Sequence, residues 1–282
     1  MKKTANLLVS CSDRAGLVKA ITEFLFEYGA NISFMEQHIE DGHFFMRIEW
    51  EIENFCFDCD DKFLERFSEI QREFNMELKV DFKWEKRKVW LLCSRELHCL
   101  YDIIGRYLTW ELNIEIPYVI SNSLAWKEYV EKIWIPFYYV EAKKWSFEHE
   151  KEVLKIIKDN PTDLIALARY MKVLSQDFIE QTNQKIINVH HSFLPSFIGA
   201  KPYDEAYERW VKIIWATSHY VIPELDRWPI IDQEVKRIKH SHDIENLKIL
   251  WRECEKTVFA NAIRKHIENK IIVYKNRAIV FE

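Results

Sequence analysis

The sequence predicts an α/β protein in two parts, a ferredoxin-like βαββαβ unit followed by a doubly wound, mostly parallel, Rossmann-like sheet. Three observations carry this. The apolar period switches between strand and helix spacing in the order β-α-β-β-α-β over the first 84 residues. A short charged run, EKRK at Glu85–Lys88, then interrupts the pattern. Beyond it, strands and helices alternate one for one, as a parallel sheet with helical crossovers requires. The two domains are therefore expected at residues 1–84 and 85–282.

Taken in order, ANLLVSCS alternates as a strand, and DRAGLVKAITEFLFEYGA follows with Leu17, Ile21, Leu25 and Tyr28 on one helical face. Gly29 suits a left-handed helix C-cap. NISFMEQHIE and HFFMRIEWEI read as a hairpin about Asp41-Gly42. The helix DDKFLERFSEIQREFN and the strand MELKVDFKW complete the unit. In the second part the strands are KVWLLCS, IEIPYVIS, IPFYYVE and DLIALAR, alternating with the helices LYDIIGRYL, LAWKEYVEKI and EHEKEVLKIIKDN. After INVHHSF come IIWATSHYV and PIIDQEVKRI, a long helix ENLKILWRECEKTVFANAIRKHIEN, and a closing pair KIIVYKN and RAIVFE.

Composition narrows the function. A net charge of −5 lacks the basic excess that phosphate neutralisation needs, so nucleic acid is not an expected partner. No apolar run approaches membrane-spanning length and no charged-then-apolar leader opens the chain, so neither a span nor a signal peptide is expected. The expected compartment is the cytoplasm. The 6 cysteines form no disulfide framework. Cys56-x-x-Cys59 lacks a second ligand pair, so no metal is expected there.

The runs INVHHSFLPSFIGAKPYDEAYERW (Ile187–Trp210) and ATSHYVIPELDRWPIIDQ (Ala216–Gln233) resemble the formyltetrahydrofolate deformylase family of the folate-dependent formyltransferase superfamily. HCLYDIIGR, EIPYVISN and ARYMKVLS follow the family in order, and DRAGLVKAITEFLFEYGANI resembles the start of its N-terminal ACT domain. The resemblance spans the chain. It implies hydrolysis of 10-formyltetrahydrofolate to tetrahydrofolate and formate, which supplies formate for purine synthesis and balances one-carbon pools. The folate is substrate, and neither a cofactor nor a metal is implied. It also implies Asn188, His190 and Asp226 as the catalytic set.

Those residue types suit the chemistry. Attack on a formamide-like carbonyl builds an oxyanion and must end by protonating a poor amine leaving group. Asn188 can offer an amide N–H to that oxygen, and His190, two residues on along a strand, shares its face. His190 can donate a proton or stabilise the oxyanion. Asp226 can orient the imidazole and hold the attacking water. Read without their flanks, an Asn-x-His at a strand end and a turn aspartate are ordinary structural features. His191 faces the other side of an extended strand.

The resemblance further implies that the loop Ala168–Ser175 meets the pterin, through Met171, Val173 and Leu174 with Lys172 contributing backbone. Core packing would equally account for Met171 and Leu174. His98 and His219 are expected to border the substrate. In the related glycinamide ribonucleotide transformylases a Gly-rich loop cradles a phosphate. Ser94–Arg106 has no glycine before Gly105, so water is the expected acceptor. The ACT-like unit implies amino-acid effectors, methionine and glycine in the family, with Asp13, Gly16 and Asn31 marking the regulatory loop and the start of the next strand. Asp13 alone also reads as a helix N-cap. ACT domains commonly pair, so a homo-oligomer is expected. Two other functions remain open: a formyltransferase with an unrecognised amine acceptor, and an inactive ACT-type amino-acid sensor.

One departure stands out. The chain has 5 Gly and 11 Trp, where average usage would give roughly 20 Gly. The family pattern leads one to expect glycine at Trp110, Trp134, Trp210, Trp215 and Trp228. Genuine tryptophan at turns would cost overpacking and positive-φ strain. The excess suggests a source that reads UGA codons as glycine. Trp50 matches the family as tryptophan.

Overall fold

The structure is a computed structural model that describes residues 3–82, 85–143, 146–182, 184–190, 202–223 and 229–282. It forms two units, one of Met1–Glu85 with Asn269–Ile272 and Ile279–Glu282, the other of Lys86–Glu268 with Val273–Ala278.

The first unit runs β1 (Thr4–Ser12), α1 (Leu17–Glu27), β2 (Asn31–Glu40), β3 (His43–Glu51), α2 (Asp60–Phe74) and β4 (Glu77–Asp81). Its antiparallel sheet has the order β2-β3-β1-β4, the expected ferredoxin-like arrangement. Leu17, Ile21, Phe24 and Leu25 bury one face of α1, and Phe63, Phe67 and Phe74 bury one face of α2. Between them Trp50 is fully buried, its ring centroid 5.4 Å from Phe55 and 5.7 Å from Phe63. Gly29 has φ 84° at the α1 C-terminus, and a Cβ there would lie 2.6 Å from the Asn54 carbonyl oxygen, so only glycine fits. Asp41 and Gly42 both have positive φ, the backbone of a tight hairpin turn.

The second unit opens with β5 (Arg87–Cys93), α3 (His98–Leu108), β6 (Ile114–Glu115) and β7 (Val119–Ser121). The single strand expected over IEIPYVIS is thus divided around Pro117, which has no N–H for a ladder. After a 3₁₀ turn come α4 (Lys127–Lys132), β8 (Phe137–Tyr139), α5 (Glu148–Asp159), β9 (Leu164–Ala168), α6 (Gln176–Thr182) and β10 (Ile186–His190). Then follow α7 (Pro202–Glu208), β11 (Ile213–Tyr220), β12 (Ile230–Arg237) and α8 (Ile244–Ile267). The sheet order is β12-β11-β10-β9-β5-β7-β8 with β6 beside β5. The strands from β5 to β10 pair in parallel, and β11 and β12 are antiparallel, so the sheet is mostly parallel. Strand β9 is buried along its whole length, as a central parallel strand covered on both faces must be. No helix among the described residues is long and apolar enough to cross a membrane.

The chain ends in β13 (Ile271–Tyr274) and β14 (Arg277–Val280), joined by Lys275 and Asn276 in left-handed conformation. The sequence assigned all of 85–282 to the second domain, but the ends of this hairpin belong to the first unit. The cause is polar. Arg47 Nε, buried against water, donates to the Asn269 carbonyl at 3.1 Å, Asn269 Nδ2 bonds Asp81, and Glu282 N donates to Glu36 at 2.9 Å.

The backbone discriminates among the suspect tryptophans. Trp110, Trp134 and Trp210 have φ of 63°, 62° and 51°. Each lies just past a helix end, after α3, α4 and α7, and the same two bonds close each turn. Trp110 N donates to Tyr107 O and Glu111 N to Arg106 O. Trp134 N donates to Glu131 O and Ile135 N to Val130 O, and Trp210 N to Tyr207 O and Val211 N to Ala206 O. This is the Schellman pattern, whose left-handed position is glycine's. The three indoles are 74%, 93% and 64% exposed, so burial does not offset the strain. Trp215 lies within β11 without positive φ, so its backbone makes no demand for glycine. Trp228 lies outside the described residues.

Trp134→Gly is expected to raise the unfolding free energy in urea titration by about 1 kcal/mol, the scale of left-handed strain in an L-residue. Trp50→Gly should lower it by about 3 kcal/mol or more. Peptide mass spectrometry of the protein from its own cells should find glycine at positions 110, 134 and 210; tryptophan at all three overturns the codon reading.

Candidate active site

The carboxyl ends of β9 and β10 lie side by side, because the parallel register sets Asn188 beside Leu167. Ligands in open α/β sheets bind beyond such ends. On the other side of β10, the antiparallel register sets Asn188 opposite His219 and His190 opposite Thr217. Strand alternation then puts Asn188 and His190 on one face, both half-buried, while Val189 between them is buried.

His219 is 2% exposed, and its Nδ1 lies 3.0 Å from the Tyr220 carbonyl oxygen. A carbonyl only accepts, so Nδ1 carries the proton. Burial, foremost, brings the pKa of His219 down from 6.5 to about 4, so the ring is neutral and Nε2 is left as an acceptor. Asn188 Nδ2, 3.3 Å from that Nε2, therefore donates to it. One amide hydrogen of Asn188 is thereby committed and its orientation set. The second amide hydrogen and Oδ1 take no part in that bond. His219, expected at the substrate's border, reaches Asn188.

The ring centroid of His190 lies 6.4 Å from that of His219. Its pKa is lowered, first by burial and then by the Arg169 guanidinium, while Glu255 acts in the opposite sense. At neutral pH His190 is an uncharged imidazole, able to accept or donate one proton.

The loop after β9 is held at several points. Met171 N donates to Ser94 Oγ at 3.0 Å, and Lys172 Nζ donates to the Ala142 carbonyl at 2.8 Å. Ser175 N donates to Glu150 at 2.8 Å. On this anchored backbone Met171 is 55% and Val173 75% exposed, so neither is a core residue; Leu174 packs partly buried against the core. Apolar side chains displayed from a fixed loop are ready contacts for a flat, partly apolar ligand.

Sequence reasoning missed Arg169 and Glu255. Glu255, on α8, is fully buried and bonds His98 Nε2 at the start of α3; its other oxygen lies 3.3 Å from Arg169 Nη1. Nothing in the local pattern marks Glu255 as more than one charge of a mixed helix. His98, Cys99 and Glu255 bring donor atoms within 4.8 Å of one another. The set suits a salt bridge better than a cation, since Arg169 and His98 already face the carboxylate. Burial, with Glu255 beside it, also holds the Cys99 thiol well above its ordinary pKa, against the thiolate a metal needs.

The remaining sequence candidates separate. Asp13 and Gly16 sit near the β1–α1 turn, where Gly16, not Asp13, is the N-cap. Asn31 begins β2 opposite Glu51, which also faces Thr4, so it lies at the other end of the sheet from Ser12 and Asp13. The unit does not gather these three residues. Asp226 and His191 lie outside the described residues.

Comparison with known proteins bears on the two domains and the family. A family model described as formyl transferase matches residues 87–263, and one described as ACT domain matches residues 5–66. A formyltetrahydrofolate deformylase of Bacillus subtilis is 43% identical over 285 aligned residues, covering 98% of this chain and 93% of that protein. The crystal structure of a formyltetrahydrofolate deformylase from Pseudomonas syringae superposes with a TM-score of 0.94 at 39% identity, covering 99% of this chain and 94% of that one. A phosphoribosylglycinamide formyltransferase of Anaplasma phagocytophilum matches only 71% of this chain, with 95% of its own covered, at a TM-score of 0.63 and 28% identity. With both domains matched, and full-length relatives well above a third identical, this chain belongs to the formyltetrahydrofolate deformylase family.

Proposed function

We propose that the protein hydrolyses 10-formyltetrahydrofolate to tetrahydrofolate and formate. The observation that carries this is the pairing of Asn188 and His190 on one face of β10, beside an anchored loop that displays Met171 and Val173. Deformylases matching along nearly the whole chain support the same reading.

The pterin packs on Met171, Val173 and Leu174, with Lys172 fixing the backbone of the loop. The formyl group lies over the end of β10. Water adds to the formyl carbon as the carbonyl oxygen takes up negative charge. The free amide hydrogen of Asn188 and the imidazole of His190 stabilise that oxygen. Collapse breaks the bond between formyl carbon and N10; a proton originating from the water reaches N10, and formate leaves. Asp226, assigned from its motif, holds the water and orients His190. His219 positions Asn188, and His98 borders the site without touching the reacting atoms. The steps need no metal or cofactor. The ACT unit binds a small effector, methionine or glycine, with Asp13, Gly16 and Asn31 drawn from more than one copy in a homo-oligomer. The work is done in the cytoplasm, where the folate pool lies.

Release of tetrahydrofolate from 10-formyltetrahydrofolate, with water as the only acceptor, tests the reading. His190→Asn should lower kcat about 10²- to 10⁴-fold and Asn188→Ala about 10²- to 10³-fold. Asp226→Asn should abolish most turnover; release equal to the parent's would sink the assigned set. Tetrahydrofolate that appears only with an added amine, with the formyl group recovered on that amine and no formate, would favour a transferase.

Stability should also fall with acid. His219 titrates at about 4 when folded and near 6.5 when unfolded, so the unfolded chain binds more protons between those values. The stabilisation from the neutral ring is complete above about pH 6.5 and is lost as pH falls towards 4, with a slope on the order of 1 kcal/mol per pH unit. His190, shifted the same way, adds to it. Denaturant titrations across this range should show the slope, and His219→Gln should flatten it.

A further inference from the structure

We propose that Glu255 is a positioning residue for the hydrolysis: its buried carboxylate clamps Arg169 at the end of β9 and His98 at the start of α3, and so sets the electrostatic surroundings of His190. The proposal rests on the function argued above.

Four features of the molecule support it. First, Glu255 is 0% and Arg169 6% exposed, a degree of burial that charged residues tolerate only when paired. Second, the pairing is divided. One oxygen of Glu255 meets His98 and the other lies 3.3 Å from Arg169, so a single carboxylate joins three elements, α3, α8 and the end of β9. Third, Arg169 has φ 60°, a strained conformation for a side chain of this size. Such strain persists where the surroundings over-determine it, and the ion pair to Glu255 is what holds this side chain. Fourth, the strained residue stands at the start of the loop that carries Met171, while the strand beside it ends at His190.

The titratable groups that act on His190 among the described residues come from three elements. Arg169, from the end of β9, disfavours the imidazolium, and Glu255, from α8, favours it. The neutral ring of His219, on β11, has its centroid 6.4 Å from that of His190. Burial foremost keeps His190 uncharged at neutral pH and Arg169 adds to it, while Glu255 limits the effect of Arg169 and holds it in place. Loss of the carboxylate would leave a buried, uncompensated guanidinium next to the reacting imidazole.

The two charges therefore act on His190 with opposite signs, which a merely structural role would not produce. In full-length protein labelled with ¹³C at histidine Cε1, His190 is identified by the signal lost in His190→Gln. Glu255→Gln should move its titration midpoint to lower pH and Arg169→Gln to higher pH, each by about half a unit or more. The same shifts should appear in the matching limb of the pH profile of kcat. Glu255→Gln should lower kcat about tenfold or more with a smaller change in KM, and Glu255→Asp should restore part of it. If Glu255→Gln does not fold by circular dichroism, Glu255→Asp and Arg169→Gln carry the titration test. If neither folds, the double variant Arg169→Gln/Glu255→Gln does, with its midpoint expected between those of the singles and kcat still reduced. Midpoints unmoved in the folded single variants, or a double variant with parental kcat, would overturn the proposal. Shifted midpoints in a protein that releases no tetrahydrofolate would retain the effect of the clamp on His190 and reject the hydrolase reading, and with it a role in hydrolysis.

Discussion

Strand β10 is hydrogen-bonded on one side to parallel β9 and on the other to antiparallel β11, and the site depends on that double pairing. The parallel partner brings a loop from the same sheet edge next to His190. The antiparallel partner returns a buried histidine to the level of Asn188. The Tyr220 carbonyl fixes the His219 tautomer and, through it, the donor face of the Asn188 amide.

Burial shapes the electrostatics of this edge. Both histidines lose most of their solvent, and both are held below the usual imidazole range chiefly by that loss. Neutral rings cost less to bury than charged ones and keep a lone pair available for a proton. The charged groups nearby follow another rule. Glu255 cannot be neutral solvent-facing decoration at zero exposure, and it is matched by His98 and Arg169. Two neutral imidazoles thus stand at this edge, with a paired ion cluster among their neighbours.

Local signals were easy to read where local physics decides. The Asp41-Gly42 turn, the Gly29 cap and the apolar face of α1 each depend on residues a few positions apart, and each is found in the structure. The short helices α6 and α7, of 7 residues each, went unseen because two turns carry too little periodicity. The division of β6 from β7 was legible in Pro117 but was not drawn from it. Asn188 and His190 were legible because strand alternation alone puts them on one face. Arg169 and Glu255 are 86 positions apart by their numbers, and no pattern in either neighbourhood announces that they meet.

By itself the sequence determined the element order, the two-part organisation and the residue types capable of formyl chemistry, because these follow from periodicity, turn chemistry and side-chain inventory. It also showed too little glycine and too much tryptophan. Tertiary structure decided what those facts mean. It showed that Trp110, Trp134 and Trp210 occupy left-handed caps whereas Trp215 does not, since φ is set by how a chain turn closes. It moved the ends of the last hairpin to the first unit, made His219 the partner of Asn188, and joined His98, Arg169 and Glu255 into one cluster. Each of these depends on desolvation and on contacts between distant segments, which exist only once the chain has folded.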